Sequence, residues 1–460
     1  MNSALKIGVA LLCVAVSFGC AAAPEQTTAP TTTPAPAPDF RQLYDAAAEQ
    51  LKSSSAYRVE FTVEKTCTGG GADVSEQTAL EYAVSGAGTA EAVYYIRQQT
   101  VQGSRNLQLS RIFQGGTVHL LTQNGAFSGQ TEEAAFTAAM YPAVLLESSH
   151  YGLITGEPEG DGWKLTFSRP VAAEAWLDAR QPPVFAAGAA WLNGEGALQQ
   201  LSYRVEYDEG DTRIALHITA KLAPAGWIAL PDIPETSVFL TDPEAVVYLL
   251  RSAGCISDTS ALRSQLTETV DSRALSLKRS QKTDCTFIQS GDALQAQLDY
   301  AVTLTPDRGA STVNTRQERY ENGRFMRSIN GGEPLEDIRY TPQEVRQYCE
   351  SSVLGGLFPP ACLADARIVR EGGEITLHLT GTQDYALQMA AGIESQLGVE
   401  LGSLASEILP GQVTGTLVLN AVTGLPREMT ISFSCDHVIG GVSYPLTYTL
   451  EQTLQWTAEG

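Results

Sequence analysis

The order of landmarks in residues 40–240 recurs in residues 245–460, and that recurrence constrains the fold more than any single motif. In the first stretch, Phe113-Gln114-Gly115-Gly116 leads through a short apolar run to Asn124-Gly125, a helix start at Thr131, a strand from Trp163 to Phe167 and a closing hairpin. The second stretch repeats the order with Tyr320-Glu321-Asn322-Gly323, Asn330-Gly331-Gly332, a helix start at Thr341, a strand from Ile375 to Leu379 and a closing hairpin. A repeat of this length means tandem folded units, because solenoid repeats are several times shorter.

Within each copy the dominant local signal is alternation of apolar and polar residues, the mark of strands with one buried face. Tyr57, Val59, Phe61 and Val63 alternate in this way, as do Leu201, Tyr203, Val205 and Tyr207, and Ile214, Leu216 and Ile218. The second copy answers with Leu294, Ala296, Leu298, Tyr300, Val302 and Leu304, with Met429, Ile431 and Phe433, and with Leu446, Tyr448 and Leu450. Asn124-Gly125, Asp161-Gly162, Asn193-Gly194, Asn322-Gly323 and Asn330-Gly331 supply the positive backbone dihedrals of tight hairpins, so the strands run antiparallel.

Helices are expected at Arg41–Lys52, from Thr131, at Val171–Arg180, Pro243–Ser252, from Thr341 and at Tyr385–Leu409. Thr341-Pro342-Gln343-Glu344 is a capping box with proline at the first helical position. A sheet with one apolar face needs cover. The expected fold class is therefore α+β: two tandem units, each a curved antiparallel β-sheet, an unclosed half-barrel covered by helices. The boundaries read as a signal at 1–19, a tether at 20–39, a first domain at 40–223, a linker at 224–242 and a second domain at 243–460.

This order of elements resembles the carrier-lipoprotein superfamily of LolA, LolB, RseB and the mycobacterial LppX group, once per copy. The resemblance implies an unclosed barrel with helices in its mouth, and a space between sheet and helices that holds acyl chains or glycolipid, or serves to sense envelope proteins. It brings no catalytic residue.

Met1 to Gly19 has the charge, apolar stretch and small-residue end of a secretory signal, and is too short to span a bilayer. Ser17-Phe18-Gly19-Cys20 resembles a lipobox, which implies diacylglyceryl modification and palmitate-type acyl chains on Cys20. The residues after Cys20 are rich in Thr, Pro and Ala, and at about 3.1 Å per residue in an extended geometry they reach roughly 55 Å. The expected location is the extracytoplasmic face of the cell membrane, held by lipid, since two or more acyl chains hold firmly where one does not.

Thirty Lys and Arg against 52 Asp and Glu leave a net charge of −22, spread along the chain. Phosphate binding needs clustered cations, so no nucleic-acid partner is expected. Six cysteines remain beyond Cys13 and Cys20: Cys67, Cys255, Cys285, Cys349, Cys362 and Cys435. Their fifteen pairings are open in the sequence; Cys349 and Cys362, across a Gly-Gly and Pro-Pro break, are the candidate disulfide, with free buried thiols as the alternative. No spacing suits a metal, and no cofactor is expected.

Five histidines stand in no recognisable constellation, and the nucleophile elbows, zinc motifs and phosphate loops of common enzymes are absent from the sequence. The expected function is non-enzymatic binding of a lipid or other hydrophobic ligand. Candidate lining residues are Val59, Phe61, Leu120, Tyr203 and Val205 in the first copy and Leu298, Tyr300, Leu377, Ile431 and Phe433 in the second. The other reading is an envelope sensing or protein-interaction module, in which the same side chains fill closed cores.

Overall fold

Alternation along β1 (Ala56–Gly69) sends Tyr57, Val59 and Phe61 into the core and leaves Glu60 and Thr62 exposed. The same logic builds the rest of the sheet in a computed structural model. It describes residues 38–69, 74–86, 89–102, 105–140, 148–170, 183–223, 230–253, 261–290, 293–321, 323–354, 358–398 and 404–456. The signal and tether up to residue 37, Cys20, Cys255 and the expected helix at Val171–Arg180 lie outside the described residues.

The first half runs from α1 (Phe40–Lys52) and β1 through β2 (Val74–Ser85), β3 (Val93–Gln102), β4 (Arg105–Gln114), β5 (Thr117–Thr122) and β6 (Gly125–Gln130). After α2 (Glu133–Met140) come β7 (Tyr151–Glu159), β8 (Gly162–Pro170), β9 (Phe185–Leu192), β10 (Leu198–Glu209) and β11 (Thr212–Ala223). A two-residue strand, β12 (Val238–Phe239), and α3 (Ala245–Ser252) follow.

The second half begins with β13 (Ala261–Ser272), β14 (Leu277–Ser290), β15 (Ala293–Pro306), β16 (Thr312–Glu321), β17 (Arg324–Ile329) and β18 (Glu336–Arg339). It continues through α4 (Pro342–Leu354), β19 (Leu363–Glu371), β20 (Glu374–Gly381) and α5 (Gln383–Leu397). The last strands are β21 (Glu407–Pro410), β22 (Thr414–Asn420), β23 (Pro426–Ile439) and β24 (Val442–Trp456).

Each half forms one twelve-stranded sheet, and neither sheet closes on itself. Apart from β12 and β21 the two orders match strand for strand: β6-β5-β4-β3-β2-β1-β11-β10-β9-β8-β7 against β18-β17-β16-β15-β14-β13-β24-β23-β22-β20-β19. A helix precedes the first long strand of each half, and α2 and α4 both follow the outermost hairpin.

The fold is thus mostly β, which corrects the expected α+β class of helix-covered sheets. Among the described residues the helices, 8 to 15 residues long, are too short and few to cover faces built from strands of up to 15 residues. Buried apolar residues of the two halves run together. One core cluster holds Tyr44, Val59 and Phe167 of the first half together with Leu262, Phe287 and Cys349 of the second. The expected helix at Tyr385–Leu409 stops at Leu397, because Gly398 takes a left-handed conformation (φ 69°) and its N–H closes on the carbonyls of Glu394 and Ser395.

Helix α1 lies against β7 and β10. Tyr44 meets Phe167 edge-on at 4.8 Å, and the Phe40 ring lies so close to Gly156 that a β-carbon there would stand 2.3 Å from it.

The connector is packed on both halves. β12 runs parallel to β6, and the Leu240 N–H donates to Ser128 O at 2.8 Å. On the other side Asp242 N–H donates to Ala366 O at 2.9 Å, Asp242 Oδ2 accepts from Ile368 N at 2.8 Å, and Asp365 Oδ1 accepts from Thr241 N at 2.8 Å. Arg251 pairs with Glu76, and Lys65 donates to Val422 O, fastening the halves further.

Candidate functional site

Cross-strand register in the second sheet sets Cys285 opposite Leu298, Leu298 opposite Glu318 and Glu318 opposite Arg327. The Glu318 side chain is fully buried (0% exposed), where an ionised carboxylate survives only with partners. It has three. Arg327 Nε donates to Oε1 at 2.8 Å, Arg316 Nε stands 3.2 Å from the same oxygen, and the Tyr348 hydroxyl donates to Oε2 at 2.6 Å. The Arg316 guanidinium also lies 3.9 Å from the centroid of the Tyr300 ring. Burial, followed by the hydrogen bond to Glu318, raises the Tyr348 hydroxyl far above the ordinary range, so it remains a proton donor.

Tyr348 comes from α4, whose start is fixed by the expected capping box. The Glu344 N–H donates to Thr341 Oγ1 at 3.3 Å, while Glu344 Oε2 accepts from Thr341 N at 2.7 Å. The helix turns Val345, Cys349 and Val353 toward the sheet at a four-residue spacing. Between α4 and β17 lies a cavity of about 300 Å³, lined chiefly by Phe325, Tyr340, Val345 and Tyr348, with Arg327 and Glu344 as charged members. Phe325 meets Tyr340 at 5.2 Å and 86° and Tyr348 at 5.6 Å and 75°, so aromatic rings edge-on to one another wall the space.

Arg111 occupies the rung in the first sheet that Glu318 occupies in the second, between Ile96 of β3 and Leu120 of β5. There Phe136 of α2 stacks on Phe113 at 5.2 Å and approaches Tyr94 at 6.2 Å, so an aromatic side chain takes up space beneath the helix.

Of the expected lining residues, only Leu298 and Tyr300 flank this site, as neighbours of Glu318 and Arg316 on β15. Val59, Phe61, Tyr203 and Val205 are buried in the core cluster shared with α1. Leu120, Leu377, Ile431 and Phe433 belong to a second cluster with α3 and α5. The residues around the cavity, Phe325, Tyr340, Tyr348 and the Glu318–Arg327 pair, were missed. The pair had a readable signal, because folding β16 and β17 about residues 322 and 323 brings Glu318 and Arg327 opposite each other.

A shallow groove of about 530 Å³ crosses the outer face of the first sheet over Ala187, Gly188 and Ala189, with Trp191 at one side. In it His217 stands 3.5 Å from both Ser202 Oγ and Glu64 Oε2, the residue types of a nucleophile, base and orienting acid. The contacts are long and the side chains of His217 and Glu64 are exposed (51% and 56%). The three lie within paired strands, whose ladder consumes the backbone N–H groups that an oxyanion would need. Among the described residues no three His, Cys, Asp or Glu side chains gather as metal ligands, and no helix is long and apolar enough to cross a membrane.

Cys349 and Cys362, the expected pair, stand as free thiols in the structure, as do Cys67, Cys285 and Cys435. Cys349 is on the sheet-facing side of α4, whereas Cys362 ends a short turn at Pro360–Cys362 and is half-buried. The thiol that Cys349 does touch is that of Cys285, on β14.

No family model and no curated protein matches the chain. Among solved structures, LprF from Mycobacterium bovis is 14% identical over 48% of this chain and 95% of its own, with a TM-score of 0.25. OccK3 (OpdO) from Pseudomonas aeruginosa is 9% identical over 90% of this chain and 98% of its own, with a TM-score of 0.11. OpdQ from the same organism is 8% identical over 87% of this chain and 98% of its own, with a TM-score of 0.12. These are distant likenesses, and the fold and site stand on the geometry above.

Proposed function

We propose that the chain is an extracytoplasmic lipoprotein, anchored through acylated Cys20, that binds a hydrophobic ligand without catalysing its conversion. The ligand enters the space between α4 and β17. The observation that carries this reading is the aromatic-walled cavity of about 300 Å³. Concave, chiefly apolar pockets with a few fixed polar groups are the usual seats of small hydrophobic ligands. The buried Glu318–Arg327–Tyr348 network supports the reading by holding two of the lining side chains in place.

The test is titration of the full chain, in detergent, with the fluorescent fatty acid cis-parinaric acid. Saturable binding that falls at least tenfold in Ser351→Trp and Val345→Trp, with far-ultraviolet dichroism unchanged, is the expected result. Ser351 and Val345 both line the cavity. Binding that survives both substitutions, or no saturable binding at all, rejects this site. A protein-interaction role is favoured only for the first half, where Phe136 packs on Phe113 beneath α2.

A further inference from the structure

We propose that Cys285 and Cys349 form a disulfide-bonding site that joins β14 to the middle of α4 when the exported chain folds in the presence of a disulfide oxidant. Both thiols are buried, 1% and 0% exposed, in one core cluster. The two thiols interact directly, and α4, which carries Cys349, packs on β14, which carries Cys285, and on β15. Disulfides form and persist in the oxidising compartments outside the cytoplasm. Each thiol is placed by a strong local constraint: Cys285 by its register between Ser264 and Leu298, Cys349 by the spacing it shares with Val345 and Val353.

The contact with Cys349, and after it burial, pushes the Cys285 thiol well above the ordinary range. A protonated thiol is a poor nucleophile, so in the finished fold Cys285 exchanges slowly. The bond therefore forms before α4 seals the site. The thiolate of Cys349 attacks one sulfur of the oxidant's disulfide, and the first thiolate leaves. The thiolate of Cys285 then attacks the mixed disulfide and releases the second. Two electrons pass to the oxidant, and the two cysteine protons end on its two thiols.

The bond would fix α4 at a third point, beside the Tyr348–Glu318 hydrogen bond and the Gln452 Nε2 to Val353 O hydrogen bond of 2.7 Å. The inference rests on the export reading but not on the ligand, so failure of fatty-acid binding leaves it intact.

The experiment is to refold the full reduced chain from guanidinium in a mixture of oxidised and reduced glutathione, quench with acid, block remaining thiols with N-ethylmaleimide in fresh guanidinium so that buried thiols react, and map peptides without reductant. The expected result is a peptide containing Cys285 joined to one containing Cys349, two hydrogens lighter than their sum and separated by dithiothreitol. The link persists in Cys362→Ala and vanishes in Cys285→Ala, where Cys349 becomes alkylated while the dichroism spectrum is retained. Alkylation of both cysteines in the refolded wild type, or a Cys349–Cys362 link, overturns the proposal.

Discussion

Arg111 and Glu318 occupy the same rung of the two sheets, one a buried cation and the other a buried anion. Each is neutralised differently. Arg111 reaches forward to Glu244 at the start of α3, with Nη2 donating to Oε2 at 2.8 Å and Nε to the other oxygen, while Nη1 donates to Gln98 at 2.7 Å. Glu318 finds its partners on its own sheet and on α4.

Removing Glu244 leaves Arg111 buried without a counter-charge, although Gln98 keeps one hydrogen bond. Glu244→Ala is expected to lower stability by about 2–3 kcal/mol. Arg111→Met, which keeps the packing and removes the charge, costs less. The double variant lies close to Arg111→Met, so the coupling in a double-mutant cycle read from urea midpoints is about 2–3 kcal/mol, the whole cost of Glu244→Ala. Additive effects would show that the bidentate pair does not hold the halves together.

Glu318→Ala exposes the opposite asymmetry. Arg327 and Tyr348 lose their shared acceptor, and a loss of about 3 kcal/mol is expected. Glu318→Leu combined with Arg327→Met replaces the buried pair by apolar groups and recovers most of it. Arg316, 42% exposed, can turn its charge to water. Urea unfolding of the three proteins checks the order; a double variant as unstable as Glu318→Ala would contradict it.

Acid should loosen α4 through Glu344. The Thr341 backbone N–H and then its hydroxyl hold the Glu344 carboxyl below the ordinary value of 4.5. A carboxyl with a depressed folded pKa stabilises the fold above its unfolded pKa, and that contribution disappears as pH falls through the folded value. Between about pH 5 and pH 3 the wild type should lose more stability than Glu344→Gln, whose side chain does not titrate in this range. Parallel urea midpoints for the two proteins across that window would refute the assignment.

Much of the fold was legible because its signals are local. The landmark order around Phe113 and Tyr320 marks strands that the two sheets place equivalently, and Thr341 to Glu344 forms the capping box that its residues spell out. The class was misread because helices of a few turns leave as clear a periodic trace as long strands, yet cover far less surface. The site was mostly hidden for a different reason. Phe325, Tyr340 and Tyr348 come from a strand, the segment after β18 and a helix, and their meeting depends on how α4 lands on the sheet. The same tertiary fact puts Cys349 against Cys285 and away from Cys362, which is nearer in sequence.

The connector's role bears on any attempt at dissection. A first half ending at Ala223 would lack β12 along the edge of β6, Leu240 beneath it and the carboxylate that neutralises Arg111. A fragment intended to stand alone must carry the chain through Glu244, and even then it bares core residues that the other half normally conceals. The two halves share their seam, so a piece of this chain built to stand alone would have to be longer than one sheet and its helices.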